Sequence, residues 1–287
     1  MTQAAKPIAL LIDGDVFAFQ GAASAEFTVE LEDTYHRVAH MSDAKHHVLS
    51  NITELAKQLK ATKVINTLSC PTRRYWRHDV IETYKGGRKN VKGPISLGGL
   101  KEWMQTVYES YIWPNMEADD VLGVLATDPS FLPEYTKIVV SIDKDMKTIP
   151  DTYIYNPDKD YQPWFNHRGE ADMWFLAQAI GGDFTDGYSG VHGISTDGAE
   201  KFLIEPFRYE QYEHTFKSGP RKGVSEPRWR KVEASEIMWE NILTLYAKAG
   251  QTPEDALDNA RVARILRHEE YNQKTNEVTL WNPETAH

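Results

Sequence analysis

Two short apolar runs each break off into a pair of aspartates. IALLID (8–13) leads into IDGD and leaves Asp13 and Asp15, and TKIVVSID (136–143) leads into SIDKD and leaves Asp143 and Asp145. A continuous apolar run of this length, rich in β-branched residues, reads as a strand buried on both faces. TKVINTLS and DTYIYNP are two further candidates. Helical patterns lie between them at 46–60, 97–110 and 118–127. Strands alternating with helices imply an α/β fold, a mostly parallel sheet flanked by helices. Such sheets bind ligands just beyond the carboxyl ends of their strands, which is where both aspartate pairs fall. From about residue 170 the strand signals fade. ADMWFLAQAIGG, GAEKFLIEPF, EIMWENILTLYAKAG and PEDALDNARVARILRHEEY read as helices, and FKSGPRKGVSEPRWRK reads as a basic loop. The expected organisation is a core over 1–170 and a mainly helical part over 171–287.

Two more acidic clusters join the sheet-edge pairs. MEADDVLGVLATD places Glu117, Asp119 and Asp120 directly before an apolar helical pattern, and GGDFTDGYSG holds Asp183 and Asp186. Acidic residues in a first helical turn satisfy free N–H groups and the helix dipole, but one or two suffice for that. Residues two apart on an extended segment point the same way, and residues three apart on a helix share a face. So many carboxylates in one pocket repel one another unless cations hold them together. Hard oxygen donors without Cys/His spacing suit Mg²⁺, with Mn²⁺ as a substitute, and the number of donors is enough for two ions.

The charge is unevenly spread. The chain has 287 residues and a net charge of −10, which argues against indiscriminate nucleic-acid binding. Yet the segment 73–92, RRYWRHDVIETYKGGRKNVK, carries seven cations against two carboxylates, with Tyr75, Trp76 and Tyr84 between them. The stretch 217–231 carries six cations against Glu226. Cations reach phosphates and aromatic faces stack on bases, so a polyanionic substrate such as nucleic acid is expected. The two glycines of YKGGRK suggest a mobile segment over a site. One cysteine, Cys70, excludes a disulfide within the chain and suits a reducing, cytoplasmic setting. No apolar run reaches membrane-spanning length, so no membrane partner is expected, and the N-terminus reads as a first strand rather than a signal peptide.

LIDGD, YKGGRK, EADD, SIDKD and GGDFTDGYSGVHGIS stand in the order found in the 5′→3′ exonuclease and flap-endonuclease family, which includes the nuclease domain of bacterial DNA polymerase I. DGYSG, KTIP, ATDPS, KSGPRKG, VARILRHEEYN and LWNP resemble the T7-like phage branch of that family. The likeness runs from about residue 8 to 283. It implies a PIN-like nuclease core and a helical DNA-binding part that contains a helix-turn-helix variant. It implies Asp13, Glu117 and Asp119 around one metal ion, Asp143, Asp145, Asp183 and Asp186 around a second, and Asp120 close to both. Lys85 and Arg88 of the YKGGR segment are implied to approach the scissile phosphate. Tyr84 becomes a candidate base-stacking residue, and Arg73, Arg74 and Lys89 candidate DNA contacts. The glycine-rich turn at 187–195, with Gly190 and Gly193, is implied to grip duplex DNA through backbone amides and to hold K⁺. The implied activity is metal-dependent exonucleolysis of duplex DNA and RNA–DNA hybrids from 5′ ends. The implied setting is phage replication, primer removal, recombination and host DNA breakdown, beside phage replication proteins.

One position departs from the family. A further metal-binding Asp is expected after the second strand, where this chain has Cys70 or Thr72 in TLSCPTRRYW. A thiol is a poor partner for a hard cation. Water and the remaining carboxylates fill the gap on the favoured reading, with Asp15 or Asp79 as substitutes. Other readings are a structure-specific flap endonuclease, a DNA-binding relative with impaired catalysis, and a haloacid-dehalogenase-like phosphatase with Asp13 as nucleophile.

Overall fold

IALLID becomes the central strand because it can be covered on both sides. In a computed structural model, which describes residues 5–88 and 92–285, Ala9, Leu10, Leu11 and Ile12 are fully buried. The strand β1 (Ile8–Asp13) is followed at once by α1 (Gly14–Ser24), then by a hairpin of β2 (Glu26–Leu31) and β3 (Thr34–Ala39), and by α2 (Met41–Gln58). Next come β4 (Ala61–Thr67), a single turn α3 (Arg77–Val80), α4 (Leu97–Val107), β5 (Glu109–Tyr111), α5 (Ala118–Thr127), β6 (Thr136–Val140), β7 (Thr152–Tyr155) and β8 (Trp164–Asn166). The sheet order is β5-β4-β1-β6-β7-β8. The first five strands of that order are parallel and β8 pairs antiparallel to β7 at one edge, so the sheet is mostly parallel, as expected, with one antiparallel edge strand.

The chain divides into two compact units. The first comprises 1–79, 88–171 and 265–279. One face of its sheet offers Leu10, Ile12, Ile138 and Val140 to α1, α2 and α4, which return Phe17, Ala22, Val48, Ile52, Leu100 and Met104. The helix α5, buried along nearly its whole length, lies against β1, β4 and β6. Burying one such aliphatic side chain contributes about 1.5–3 kcal/mol, and this double cover is what allows the strands to be apolar on both sides.

The second unit comprises 80–87, 172–264 and 280–287. It holds most of α6 (Arg168–Gly181), together with α7 (Thr196–Ile204), β9 (Phe207–Thr215), β10 (Ser225–Glu233), α8 (Trp239–Lys248) and α9 (Pro253–Ala263). Its core joins Ala177, Ile180, Val191, Phe202, Leu245 and Tyr246. The expected basic loop is instead the turn and second strand of a nine-pair antiparallel hairpin. Alternation in FRYEQYEHT favours a strand, and in its partner SEPRWRKVE two arginines and a lysine mask that pattern. The last expected helix stops at Ala263, because Arg264 is already extended.

Candidate active site

In the first unit the turn IDGD fixes the first aspartate pair. A Cβ at Gly14 would lie 2.0 Å from Asn66 Oδ1 and 2.7 Å from the Thr67 carbonyl, so only glycine lets β1 turn into α1 against β4. Asp13 caps α1, with Val16 N–H donating to its Oδ1 at 3.3 Å. Ser141, at the end of β6, donates to the other oxygen at 3.0 Å and accepts from the Asp143 N–H at 3.1 Å. Asp143 in turn accepts from the Asp145 N–H at 2.9 Å. The ends of β1 and β6 are thereby stitched together through Ser141. Asp13 is buried, and that burial, followed by the neighbouring charge of Asp15 and, more weakly, of Asp143, raises its pKa to about 7. A carboxylate held this way fits a divalent cation, which would remove both penalties.

Asp15 is already partnered. Lys101 of α4 reaches it at 2.7 Å, and the Ser69 N–H donates to it at 3.3 Å. Asp79, the other substitute weighed for the missing aspartate, is exposed and paired with Arg74. Cys70 is buried, with its sulfur 3.3 Å from Thr72 Oγ1.

The EADD cluster separates into different environments. Glu117 occupies the N-cap position of α5 but makes no side-chain cap; Ser69 Oγ accepts from the Ala118 N–H at 3.0 Å instead. Capping therefore does not account for Glu117. Its Oε2 accepts from Arg77 at 2.9 Å. Asp120 is fully buried and takes donors on both oxygens: Arg77 Nη1 at 2.5 Å and Trp76 Nε1 at 2.9 Å on one, Arg77 Nη2 at 2.9 Å and the Leu266 N–H at 3.2 Å on the other. Asp119 is half-buried. Arg77 stacks on Trp76 at 4.6 Å and is buried. The sequence placed it among substrate-facing cations, whereas the structure turns it inward. Its carboxylate partners stand forty or more positions away in the chain, so local sequence carried no signal for the pairing. Ser69 and Ser141 were missed for the same reason.

In the second unit Asp183 accepts from the Thr185 and Asp186 N–H groups at 2.8 and 3.3 Å. Asp186 accepts from the Tyr84 hydroxyl at 3.1 Å, and Lys85 Nζ lies 3.5 Å from it. Tyr84, the candidate base-stacking residue, is buried. Gly190, at φ +59°, has its N–H committed to Asn259 Oδ1 at 2.8 Å and leaves no room for a Cβ beside Gly182. Gly193, at φ +84°, faces open space. Arg73 and Arg74 are exposed in the first unit. Lys89 and the Arg88 side chain lie outside the described residues. Among the described residues, no three His, Cys, Asp or Glu side chains converge closely enough to hold a metal ion as they stand. No described helix is long and apolar enough to cross a membrane.

A mostly parallel sheet with carboxylates at its strand ends, in a chain with concentrated cationic segments, suits a hydrolase of phosphodiesters. The model of the 5′-3′ exonuclease N-terminal resolvase-like domain matches residues 8–169. The chain is 35% identical over 285 residues to the exonuclease of Escherichia phage T7, covering 96% of this chain and 93% of that one. It is also 35% identical over 285 residues to the exodeoxyribonuclease of Enterobacteria phage T3, covering 96% and 92%. The crystal structure of the T5 D15 protein co-crystallised with metal ions shares the fold, with a TM-score of 0.55 at 17% identity over 90% of this chain and 89% of that one. The chain belongs to the 5′-3′ exonuclease family, and it is a metal-dependent 5′→3′ nuclease acting on DNA.

Proposed function

We propose that the chain removes nucleotides from the 5′ ends of duplex DNA and RNA–DNA hybrids with two Mg²⁺ ions, for which Mn²⁺ substitutes. The observation that carries this reading is the buried, charge-crowded Asp13 at the sheet edge. Bound divalent ions supply positive charge at the phosphate and a water acidified for attack. Asp13, Glu117, Asp119, Asp143 and Asp145 are the proposed donors of the first unit, and Asp183 and Asp186 form the proposed metal-binding pair of the second. Asp120 is assigned to support, since its acceptor positions are filled by Arg77, Trp76 and Leu266. Lys85 and Arg88 are assigned to the phosphate, where positive charge stabilises the transition state. Tyr84 is assigned to holding Asp186.

The helices α6 and α7 with the turn between them are proposed as a helix-turn-helix variant that grips duplex backbone and binds K⁺, with Gly193 as the open glycine. Arg73, Arg74 and Lys89 are proposed backbone contacts. A role in phage replication, primer removal, recombination and host DNA breakdown, beside replication proteins of the phage, belongs to the same proposal; the likeness to exonucleases of phages T7 and T3 supports it.

The test is digestion of 5′-labelled linear duplex with Mg²⁺ and with excess chelator. Label released as mononucleotides or short oligonucleotides only with Mg²⁺ is the expected result. Binding without release would leave a DNA-binding relative. A second reading, flap cleavage, draws on the DNA-bound T5 D15 flap endonuclease of similar fold. A flapped substrate run beside the blunt one separates the two.

A further inference from the structure

The hairpin of the second unit carries an arrangement that the nuclease site does not use. Its strands pair Glu210 with Arg230, Tyr212 with Arg228 and His214 with Glu226. Alternation puts Arg208, Glu210, Tyr212 and His214 on one face of β9, and Phe216 follows just past its end. The other face is anchored: Phe207 packs edge-on against Phe202, and the Tyr209 N–H donates to Thr244 of α8 at 2.9 Å. The first face is left with two Arg–Glu–Arg groups. Glu210 shares its oxygens between Arg208 and Arg230, both at 2.8 Å. Glu226 shares its oxygens between Arg228, at 2.8 Å, and Arg221.

Each group carries one net positive charge, in a chain of net −10. All four arginines are exposed. Exposed ion pairs contribute little to stability, so these are poorly explained as braces. Protecting a hairpin edge from aggregation needs charge of either sign, whereas here each carboxylate is flanked by two guanidiniums. A guanidinium has five donors, and a carboxylate partner uses only one or two, leaving the others for an anion. From Glu210 to the position opposite Glu226 is four residues of strand, roughly 13 Å. That span covers about four phosphates of one strand of a duplex along its axis. The aromatic row does not suit unpaired bases. Arg221 and Arg228 lie over the Phe216 ring at 4.1 and 5.1 Å, and Tyr212, His214 and Phe216 meet edge to face.

We propose that this face of the hairpin is a contact for the sugar–phosphate backbone of duplex DNA, made through the net positive charge of its four arginines. The inference rests on the reading of the chain as a DNA nuclease. The experiment measures equilibrium binding of a short duplex, with metal chelated, across a salt series. Replacing all four arginines, as R208Q/R221Q/R228Q/R230Q, is expected to weaken binding and flatten the slope of log K against log salt by about 2 or more, since each phosphate contact contributes about 0.9. The reverse variant E210Q/E226Q adds net positive charge and is expected to bind more tightly with a steeper slope. Unchanged slopes in both variants, or weaker binding in both, would overturn the inference, and retained DNA affinity in the four-site variant would point to an acidic protein on this face instead. Label release by the wild type with Mg²⁺, measured on the same preparation, tests the nuclease reading separately.

Discussion

Arg77 grips Asp120 with two parallel guanidinium–carboxylate hydrogen bonds, at 2.5 and 2.9 Å, and both side chains are buried. The same guanidinium reaches Glu117 at 2.9 Å. One cation thus serves two carboxylates at the base of the acidic cluster that opens α5. Removing it leaves buried charge uncompensated, so Arg77→Met is expected to cost about 3–5 kcal/mol of stability. Arg77→Met combined with Asp120→Asn should recover part of that loss, and urea unfolding of the double-mutant cycle reads the coupling. Additive losses would mean that the pair is not an energetic unit.

Asp13 is expected to make the metal-free protein less stable as pH rises. Its pKa is about 7 in the fold against 3.8 for an ordinary aspartate, so between those pH values the native state binds more protons than the unfolded chain. Stability therefore falls from about pH 4 to pH 7, by up to about 4 kcal/mol from this group. Asp13→Asn removes the effect and retains a side chain able to cap α1. In chelator the variant should gain stability over wild type at pH 8 and not at pH 4, while losing Mg²⁺-dependent cleavage. An equal difference at both pH values would contradict the assignment.

Asp145→Ala is expected to abolish cleavage and to leave DNA binding largely intact. A gel shift beside the digestion assay separates the two. Equal loss of both would remove Asp145 from the metal set.

Lys85→Ala should slow cleavage by about 10²–10³-fold, the scale seen when a charge-stabilising donor is removed. Tyr84→Phe deletes the 3.1 Å hydrogen bond to Asp186 and should cost about 1 kcal/mol of stability. Wild-type rates for Lys85→Ala would take that lysine out of the reaction.

Gly190→Ala should destabilise the second unit by well over 1 kcal/mol, because φ is +59° and a Cβ would fall 2.3 Å from the Gly182 nitrogen. Thermal unfolding checks this. Gly193→Ala, with open space around it, should cost only the positive-φ strain.

The apolar runs by themselves determined that the centre of this chain would be a covered, mostly parallel sheet, because only strands buried on both faces tolerate IALLID and TKIVV. They also determined that Asp13, Asp143 and Asp145 would stand at its ligand edge, since a strand's end fixes where the residue after it emerges. The hairpin at 207–233 was hidden because charged residues on both its faces blur the period-two pattern. What each charged residue does was decided only in three dimensions. Arg77 reads as one of seven cations in a basic segment until the fold sets it against Asp120, and Tyr84 reads as a stacking ring until it is packed beside Asp186. Periodicity is a local property of the chain. A carboxylate's partner is set by contacts between residues far apart in sequence, and burial then determines whether that pairing is weak or decisive.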